Sequence, residues 1–371
     1  MIKVMQIISD SNIGGAGRCV LNFLKYYDRS QFSMVVVVPT GSLLIPALKA
    51  LDTPYREAAY IAETSFDKRA VGVLKKIIRE ENPQVVHTHG NFSGRVAAKL
   101  CGKKIVYTRH SVFPVSPRIS HGVGKWVNKT ANEFFSDQIL AVAEAAKDNL
   151  TEGGISPKKI KVILNGVEPV KVAEEAAKEA ARKTYGIEKG QFAVGILARI
   201  EPYKGHQYLL EAAKVWKDHG RPVRVIIAGM GPYLEELKQM AKKLEVEDVV
   251  CFAGFVTDIQ SLLSVLDVQV NASYGTEATS LSLLEGMSLG LPAVVSNYGG
   301  NPGVITDGQN GFLFEQKDSQ ALAKAVERLM DEPLTRKKLQ EGARKRFLQE
   351  FTAEIYARNI EEVYRAVTER R

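Results

Sequence analysis

The chain is poor in cysteine and has no long apolar run, and both shortages narrow what it can be. Cys19, Cys101 and Cys251 are the only cysteines in 371 residues, widely spaced among apolar neighbours. That pattern suits reduced core thiols in a cytosolic protein better than a disulfide or metal framework. No stretch approaches the ~20 apolar residues that span a bilayer. Met1 leads straight into a strand-like run, without the charged and apolar regions of a signal peptide, so none is expected. Asp-x-Asp pairs are missing too. Acidic residues are outnumbered, 42 Asp and Glu against 50 Lys and Arg, for a net charge of +8. The excess favours anionic partners such as nucleic acid, phosphate-bearing substrates or an acidic membrane, without choosing among them.

What is present is globular: 45% hydrophobic and 25% charged residues, in a chain long enough for two or three domains. Short β-branched runs alternate with amphipathic segments, the signature of parallel α/β sheets. In the first half the strands are expected at 2–9, 33–39, 84–90, 104–110 and 138–143, with helices at 67–80 and 144–152. After NGVEP near 165 comes a charged, Ala-rich helical stretch, VKVAEEAAKEAARKTYG, which reads as a linker. The alternation restarts with strands at 192–200, 223–231, 249–256, 268–273 and 292–297. Three helical stretches follow from about 319. The expected architecture is therefore two doubly wound α/β halves. Ligands of such sheets bind beyond the carboxyl ends of strands, in the cleft between the halves.

Four strand ends carry candidate chemistry. The first strand runs into SDSNIGGAGRC, where Gly14 and Gly15 either satisfy a tight turn or let a ligand approach the start of a helix. The full dinucleotide fingerprint is lacking, which argues against an NAD site. In LARIEPYKGHQ, Arg199 ends a strand and Lys204 sits in the following loop. They are either two solvated cations or a diphosphate clamp beside a helix N-terminus, and their place at the sheet edge favours the clamp. In YGTEATSLSLLEGMSLGLP (274–292), Glu277 lies in the loop and Glu285 more than a turn inside an apolar helix. The helix starts near Ser280, where free N–H groups make an anion site. Glu277 can reach a polyol or simply favour the helix dipole. Glu285 either pairs with a cation or accepts from ribose hydroxyls, since an unpaired carboxylate there would be costly. His87, His89 and His110 sit at strand ends of the first half. Without an Asp-x-Asp arrangement, they read as structural groups or single substrate contacts rather than metal ligands.

Taken together, Gly14-Gly15, the HTH at 87–89, NGV at 165–167, Arg199 with Lys204, AGMGP at 228–232 and Glu277-x7-Glu285 followed by GLPAVVSNYGGNPGVI resemble the family-4 (group 1) retaining glycosyltransferases. The resemblance spans the whole chain. It implies the GT-B fold, two Rossmann-like domains facing across a cleft: 1–167, with a C-terminal helix 352–371 packing back on it and binding the acceptor, and 168–351, binding the nucleotide sugar. It implies catalytic roles for Glu277, His110, Arg199 and Lys204. Arg199 and Lys204 would hold the diphosphate, Glu285 the two ribose hydroxyls and Glu277 the donor sugar. Gly15, Gly229, Phe255, Ser280 and Leu281 would complete the donor site, the 253–256 segment meeting the base through its main chain. No cofactor and no metal are implied. The sequence departs from the family at Ala278-Thr279-Ser280, where Gly-Phe-Gly is usual. Ala143 replaces a helix-opening Ser, and Gly303 stands where a Glu is common.

The resemblance implies transfer of a glucose- or N-acetylglucosamine-type hexosyl unit, with retention and without a metal, from a uridine diphosphate sugar to a lipid-linked or cell-envelope glycan. A GT-B epimerase or phosphorylase is the alternative, disfavoured by the Glu-x7-Glu placement and by the lack of an identifiable Schiff-base lysine. Nucleic acid is not expected as a partner, because no basic-aromatic module of the known kinds appears. Peripheral contact with an acidic membrane is suggested by two segments. FDKRAVGVLKKIIR (66–79) reads more readily as an ordinary surface helix packing Val71, Leu74, Ile77 and Ile78; RISHGVGKWVNK (118–129) is the second candidate.

Overall fold

The structure, a computed structural model, describes residues 1–369. The chain divides into two compact units, one comprising Met1–Val167 with the chain from Thr352 onward, the other Glu168–Phe351.

The first unit alternates strand and α-helix, with two α-helices only between its fifth and sixth strands: β1 Ile2–Ile8, α1 Gly15–Tyr26, β2 Phe32–Pro39, α2 Ile45–Ala50, β3 Tyr55–Ala58, α3 Lys68–Glu81, β4 Val85–His89 and α4 Phe92–Leu100. It continues with β5 Lys104–Arg109, α5 Pro117–Ser120, α6 Gly122–Phe134, β6 Gln138–Ala141, α7 Glu144–Glu152 and β7 Ile160–Val162. The seven strands are parallel in the order β3-β2-β1-β4-β5-β6-β7. Strand order reverses between β1 and β4, the place where such sheets open a ligand crevice. The near-continuous apolar runs of β1 and β2 are buried, as a parallel sheet covered on both faces requires.

The second unit repeats the plan with α8 Glu175–Tyr185, β8 Phe192–Leu197, α9 His206–Asp218, β9 Val223–Ala228, α10 Leu234–Lys243, β10 Val250–Gly254 and α11 Ile259–Leu263. Then follow β11 Val268–Asn271, α12 Leu281–Ser288, β12 Ala293–Ser296, α13 Asn301–Val304, β13 Gly311–Phe314, α14 Ser319–Asp331 and α15 Pro333–Glu350. Its six parallel strands run β10-β9-β8-β11-β12-β13, reversing between β8 and β11.

The last helix, α16 Ala353–Glu369, belongs to the first unit. Tyr356, Ile360, Val363, Tyr364 and Val367 form its buried stripe, one helical face by spacing. Tyr364 packs edge-on to Phe23, with ring centroids 5.9 Å apart, and Glu361 accepts from the Asp28 N–H at 2.6 Å. NGV (165–167) is the junction where the chain leaves this unit and later returns. Asn22 Nδ2 donates to the Gly166 carbonyl at 2.9 Å and Ala353 N–H to that of Val167 at 3.0 Å. The expectation that the terminal helix runs to 371 covers two residues that lie outside those described.

Two sequence expectations need correction. The stretch read as a linker is α8, an integral helix of the second unit: Ala181 is buried in a cluster with Leu262, Leu263 and Leu266. Its exposed faces are charged, which imitates a solvated tether. Strands β3, β7 and β13 were not expected. β3 is an edge strand with Arg56 and Glu57 exposed, β7 has three residues and β13 four. β3 and β7 are short and partly polar, and β13, although apolar, is too short to stand out by pattern.

Candidate functional site

The carboxyl edge of the second sheet gathers most of the residues singled out above. The loop after β11 brings Glu277 to 5% exposure, a burial that demands compensation for its charge. Lys204 Nζ donates to Glu277 Oε2 at 2.8 Å, Ser273 Oγ at 2.9 Å and Asn271 Nδ2 at 3.0 Å. All three donors converge on Oε2, and none uses Oε1. The loop is pinned from behind as well: Gly300 N–H donates to the Glu277 carbonyl at 3.0 Å and Tyr298 Oη to the Gly275 carbonyl at 2.7 Å. Ser296 Oγ, at the end of β12, holds the Ser273 carbonyl at 2.6 Å. The carboxylate is thus fixed by β11, β12 and the β8–α9 loop together.

Lys204 keeps 19% side-chain exposure, while Arg199, just past β8, is exposed and has no ion-pair partner among the described residues. The edge therefore offers one cation already paired and one not. Ser280 caps α12, its Oγ accepting from Leu283 N–H at 3.4 Å and lying 3.1 Å from Ser282 Oγ. Ser282 Oγ in turn donates to the Leu197 carbonyl at the end of β8, at 2.7 Å. This bond ties the start of α12, with Leu281 as its first residue, to the strand that carries Arg199. The opening N–H groups of a helix have no intrahelical acceptor and attract anions. Glu285 sits on the same helix at 4% exposure among Leu283, Leu284 and Met287.

Gly229 follows β9. A Cβ there would lie 1.9 Å from the Ala198 carbonyl oxygen, so the close approach of the β8 and β9 extensions admits no side chain. Phe255, just after β10, is 78% exposed, an aromatic ring standing at the same edge.

The carboxyl edge of the first sheet is different. His87 and His89 point to the same face of β4, two residues apart, and His110 follows β5. Their rings stack in a column, with centroids 4.4 Å apart for His87–His89 and 5.0 Å for His89–His110. His87 meets Tyr364 Oη and Thr108 Oγ1, both at 2.7 Å. His89 Nε2 lies 3.0 Å from Gln6 Oε1, and its Nδ1 lies 2.8 Å from His110 Nε2. With Gln6 Oε1 as acceptor, His89 carries its proton on Nε2, so His110 donates from Nε2 and its Nδ1 is the basic nitrogen. Burial pushes His110 down to about 4. Burial, helped by the nearby histidines, drives His87 to about 3 and His89 well below the usual range. All three are neutral at physiological pH.

Gly15 opens α1, and neither reason for a structural glycine applies to it. Its φ lies outside the left-handed region, Gly14 has φ −85°, and a Cβ on Gly15 would meet nothing within 4 Å. The tight-turn explanation weighed from sequence therefore fails at this position. Ala143 leaves α7 without a side-chain cap, which is the consequence expected of losing Ser there.

Sequence reading overlooked Asn271, Ser273 and His206. Asn271 and Ser273 were legible as polar residues ending an otherwise apolar strand beside a candidate carboxylate. His206 is wholly buried two residues after Lys204, and neither ring nitrogen has a partner among the described residues. Burial and the neighbouring lysine push it down to about 4. Among the described residues, no three His, Cys, Asp or Glu side chains gather as metal ligands, and no helix is long and apolar enough to cross a membrane.

Two family models match the chain, Glycosyltransferase Family 4 over residues 13–171 and Glycosyl transferases group 1 over residues 177–346. Among curated proteins, the chain is similar to the Escherichia coli UDP-Gal:alpha-D-GlcNAc-diphosphoundecaprenol alpha-1,3-galactosyltransferase. The two are 31% identical over 276 residues, covering 72% of this chain and 71% of that one. It is also similar to the N-acetyl-alpha-D-glucosaminyl L-malate synthase of Bacillus anthracis, at 25% identity over 311 residues, 81% and 79% of the two chains. Among solved structures, Anabaena Alr3699/HepE in complex with UDP-glucose superposes with a TM-score of 0.84 at 21% identity, covering 99% of this chain and 100% of that one. The fold is GT-B, and the chain belongs to the family-4 (group 1) glycosyltransferases.

Proposed function

We propose that the protein is a retaining hexosyltransferase that takes a glucose- or N-acetylglucosamine-type unit from a UDP-sugar and transfers it to a lipid-linked or cell-envelope glycan. The observation that carries this reading is the Lys204–Glu277 pair, held by Asn271 and Ser273 beside the capped start of α12. Glu277 contacts hydroxyls of the donor sugar, Glu285 accepts from the ribose, and the chain around Gly229 and Phe255 borders the uridine. Relatives named for UDP-galactose transfer and for UDP-glucose binding support a uridine donor. The first unit takes the acceptor, with Gly15 and His110 at its contribution to the reaction.

As the bond between sugar and diphosphate breaks, negative charge grows on the departing phosphate. Lys204 and the N–H groups opening α12 are held at this edge to meet it, with the exposed Arg199 beside them, and preorganised charges of this kind lower the barrier most. The acceptor oxygen then bonds to the anomeric carbon from the face the diphosphate leaves, its proton passing to the departing phosphate, which preserves configuration. Incubation with a panel of UDP-hexoses, read as free UDP, tests the reading. Turnover with one or more of them, undiminished by a chelator, is the expected result; turnover lost to the chelator and restored by magnesium or manganese would overturn the metal-independent mechanism.

A further inference from the structure

Helix α6 is inside out. At 100° per residue, Val123, Trp126, Val127, Thr130 and Phe134 share one side, and Gly124, Lys125, Asn128 and Asn132 lie across from it. In an ordinary surface helix the apolar side is buried. Here the apolar side faces solvent: Val123 is 78% exposed, Trp126 65%, Phe134 57% and Val127 51%. The side turned to the protein is polar and satisfied. Asn128 Nδ2 donates to the Gly153 carbonyl at 2.7 Å, and Asn132 Oδ1 accepts from Arg95 at 2.9 Å. None of the thirteen residues of α6 is buried. The other basic amphipathic helix of this unit, α3, shows the ordinary arrangement, with Ala70, Leu74, Ile77 and Ile78 buried.

Cations ring the exposed stripe. Lys129 flanks it on α6, Arg118 precedes it on α5, and Lys99 holds its ammonium 4.5 Å from the Phe134 ring. The only acidic residue from 117 to 134 is Glu133, and it is occupied by the Ser156 N–H at 2.8 Å. We propose that α6 docks the protein on an anionic lipid surface, with Val123, Trp126, Val127 and Phe134 entering the interface and Arg118 and Lys129 meeting the headgroups. Apolar side chains with a Trp among basic residues are the composition that lies in a bilayer interface. A second copy fits less well: a twofold pairing of the stripe brings like charges together with no carboxylate between them. A soluble glycan could stack on Trp126 but would find only the Thr130 hydroxyl to bond along Val123, Val127 and Phe134. The proposal does not depend on the donor reading.

The chain carries its own reporter. Its two tryptophans are Trp126 and Trp216, and Trp216 is fully buried, with Nε1 donating to the Ala323 carbonyl at 3.1 Å. A change in emission on adding vesicles therefore reports on Trp126. The full chain should shift to the blue and co-sediment with phosphatidylcholine vesicles containing phosphatidylglycerol, and do so weakly with phosphatidylcholine alone. Trp126→Ser with Val127→Ser should weaken co-sedimentation at least ~10-fold, the scale of one large apolar side chain kept from burial. Arg118→Glu with Lys129→Glu should weaken it ~10-fold or more, since each cation near an anionic surface contributes about fivefold. Release of UDP from a donor in solution should be unchanged in both variants, which separates failure here from failure of the donor reading. Equal vesicle binding by the variants, or no binding by the wild type, would overturn the proposal. A wild-type dimer that the serine variant converts to monomer in sedimentation velocity would assign this face to a second copy instead.

Discussion

The two sheets share one construction and carry opposite chemistry at their carboxyl edges. In the second unit the edge is ionic: a lysine and a glutamate, both largely withdrawn from water, share a bond that two further side chains reinforce, and an unpaired arginine stands nearby. In the first unit the edge is a column of three neutral histidines ending on the hydroxyl of Tyr364. The backbone is nearly interchangeable between them; the difference lies in what desolvates each group and what answers it. Glu277 is buried with a cation and two neutral donors around its carboxylate. The histidines are buried without a carboxylate, so they give up their proton. A fixed charge suits a diphosphate leaving group, whereas a neutral imidazole can accept a hydrogen bond from a hydroxyl without adding charge to the site. In the account proposed here, donor and acceptor chemistry divide along that line.

The comparison breaks most visibly at Lys204. Lys204→Ala should lower turnover at least ~10²-fold, the scale for one preorganised charge-stabilising donor. It should also lower the melting temperature, because Glu277 loses its cation while still buried. Adding Glu277→Gln to that variant should recover stability but not turnover, since it removes the stranded charge without restoring the function. A fully active Lys204→Ala enzyme would remove Lys204 from the mechanism.

The histidine column makes a prediction about acid. Folded-state values near 3 for His87 and near 4 for His110 and His206 lie below the ordinary 6.5. The unfolded chain therefore binds the extra protons first. Stability from these groups is complete above pH 6.5 and is lost as pH falls from there toward 4 and 3, by up to ~1.4 kcal/mol per group and pH unit. Chemical denaturation at a series of pH values should show that decline. Tyr364→Phe should leave the lower limit of the window at His110 in place, because the contact it removes belongs to His87. A flat profile between pH 6.5 and 4 would show that the column is not held neutral by burial.

The glycines sharpen the same contrast at smaller scale. Gly229→Ala forces a Cβ against the Ala198 carbonyl and should destabilise the second unit by ~1–3 kcal/mol, as overpacking does. Gly15→Ala meets open space and should leave stability unchanged or raise it by ~0.4–1 kcal/mol, yet reduce activity. Thermal melts paired with UDP-release rates distinguish the two. A Gly15→Ala enzyme with normal rates would make that position a plain turn after all.

Much of this arrangement was legible in the sequence because it follows from alternation. Runs such as VVVV in β2 and VIIA in β9 announce buried parallel strands, and the loops after them must lie at one edge. Arg199, Lys204 and Glu277 could therefore be placed on one side of one sheet before any coordinates. Their pairing could not, because the meeting of Lys204 with Glu277 depends on the order β8-β11 in the sheet rather than on spacing along the chain. The histidine column was half legible: HTH on a strand puts His87 and His89 on one face, but the stacking of His110 needs β4 beside β5. Helix α8 was misread because a charged, Ala-rich helix with a single buried residue has the pattern of a tether. The orientation of α6 was least accessible, whereas α3 packs Leu74, Ile77 and Ile78 inward as its sequence suggested. Periodicity reveals that a helix has an apolar side, and only packing shows which way that side turns.

The central claim is that the edge of the second unit is a UDP-sugar site in which Glu285 accepts from the ribose. Titration calorimetry with UDP in the presence of a chelator tests it most directly. The account predicts saturable binding by the wild-type protein and a loss of roughly 1.5–3 kcal/mol in Glu285→Ala, the value of a hydrogen bond to a charged group. Unchanged affinity in the variant, or no binding of UDP without a divalent metal, would contradict it.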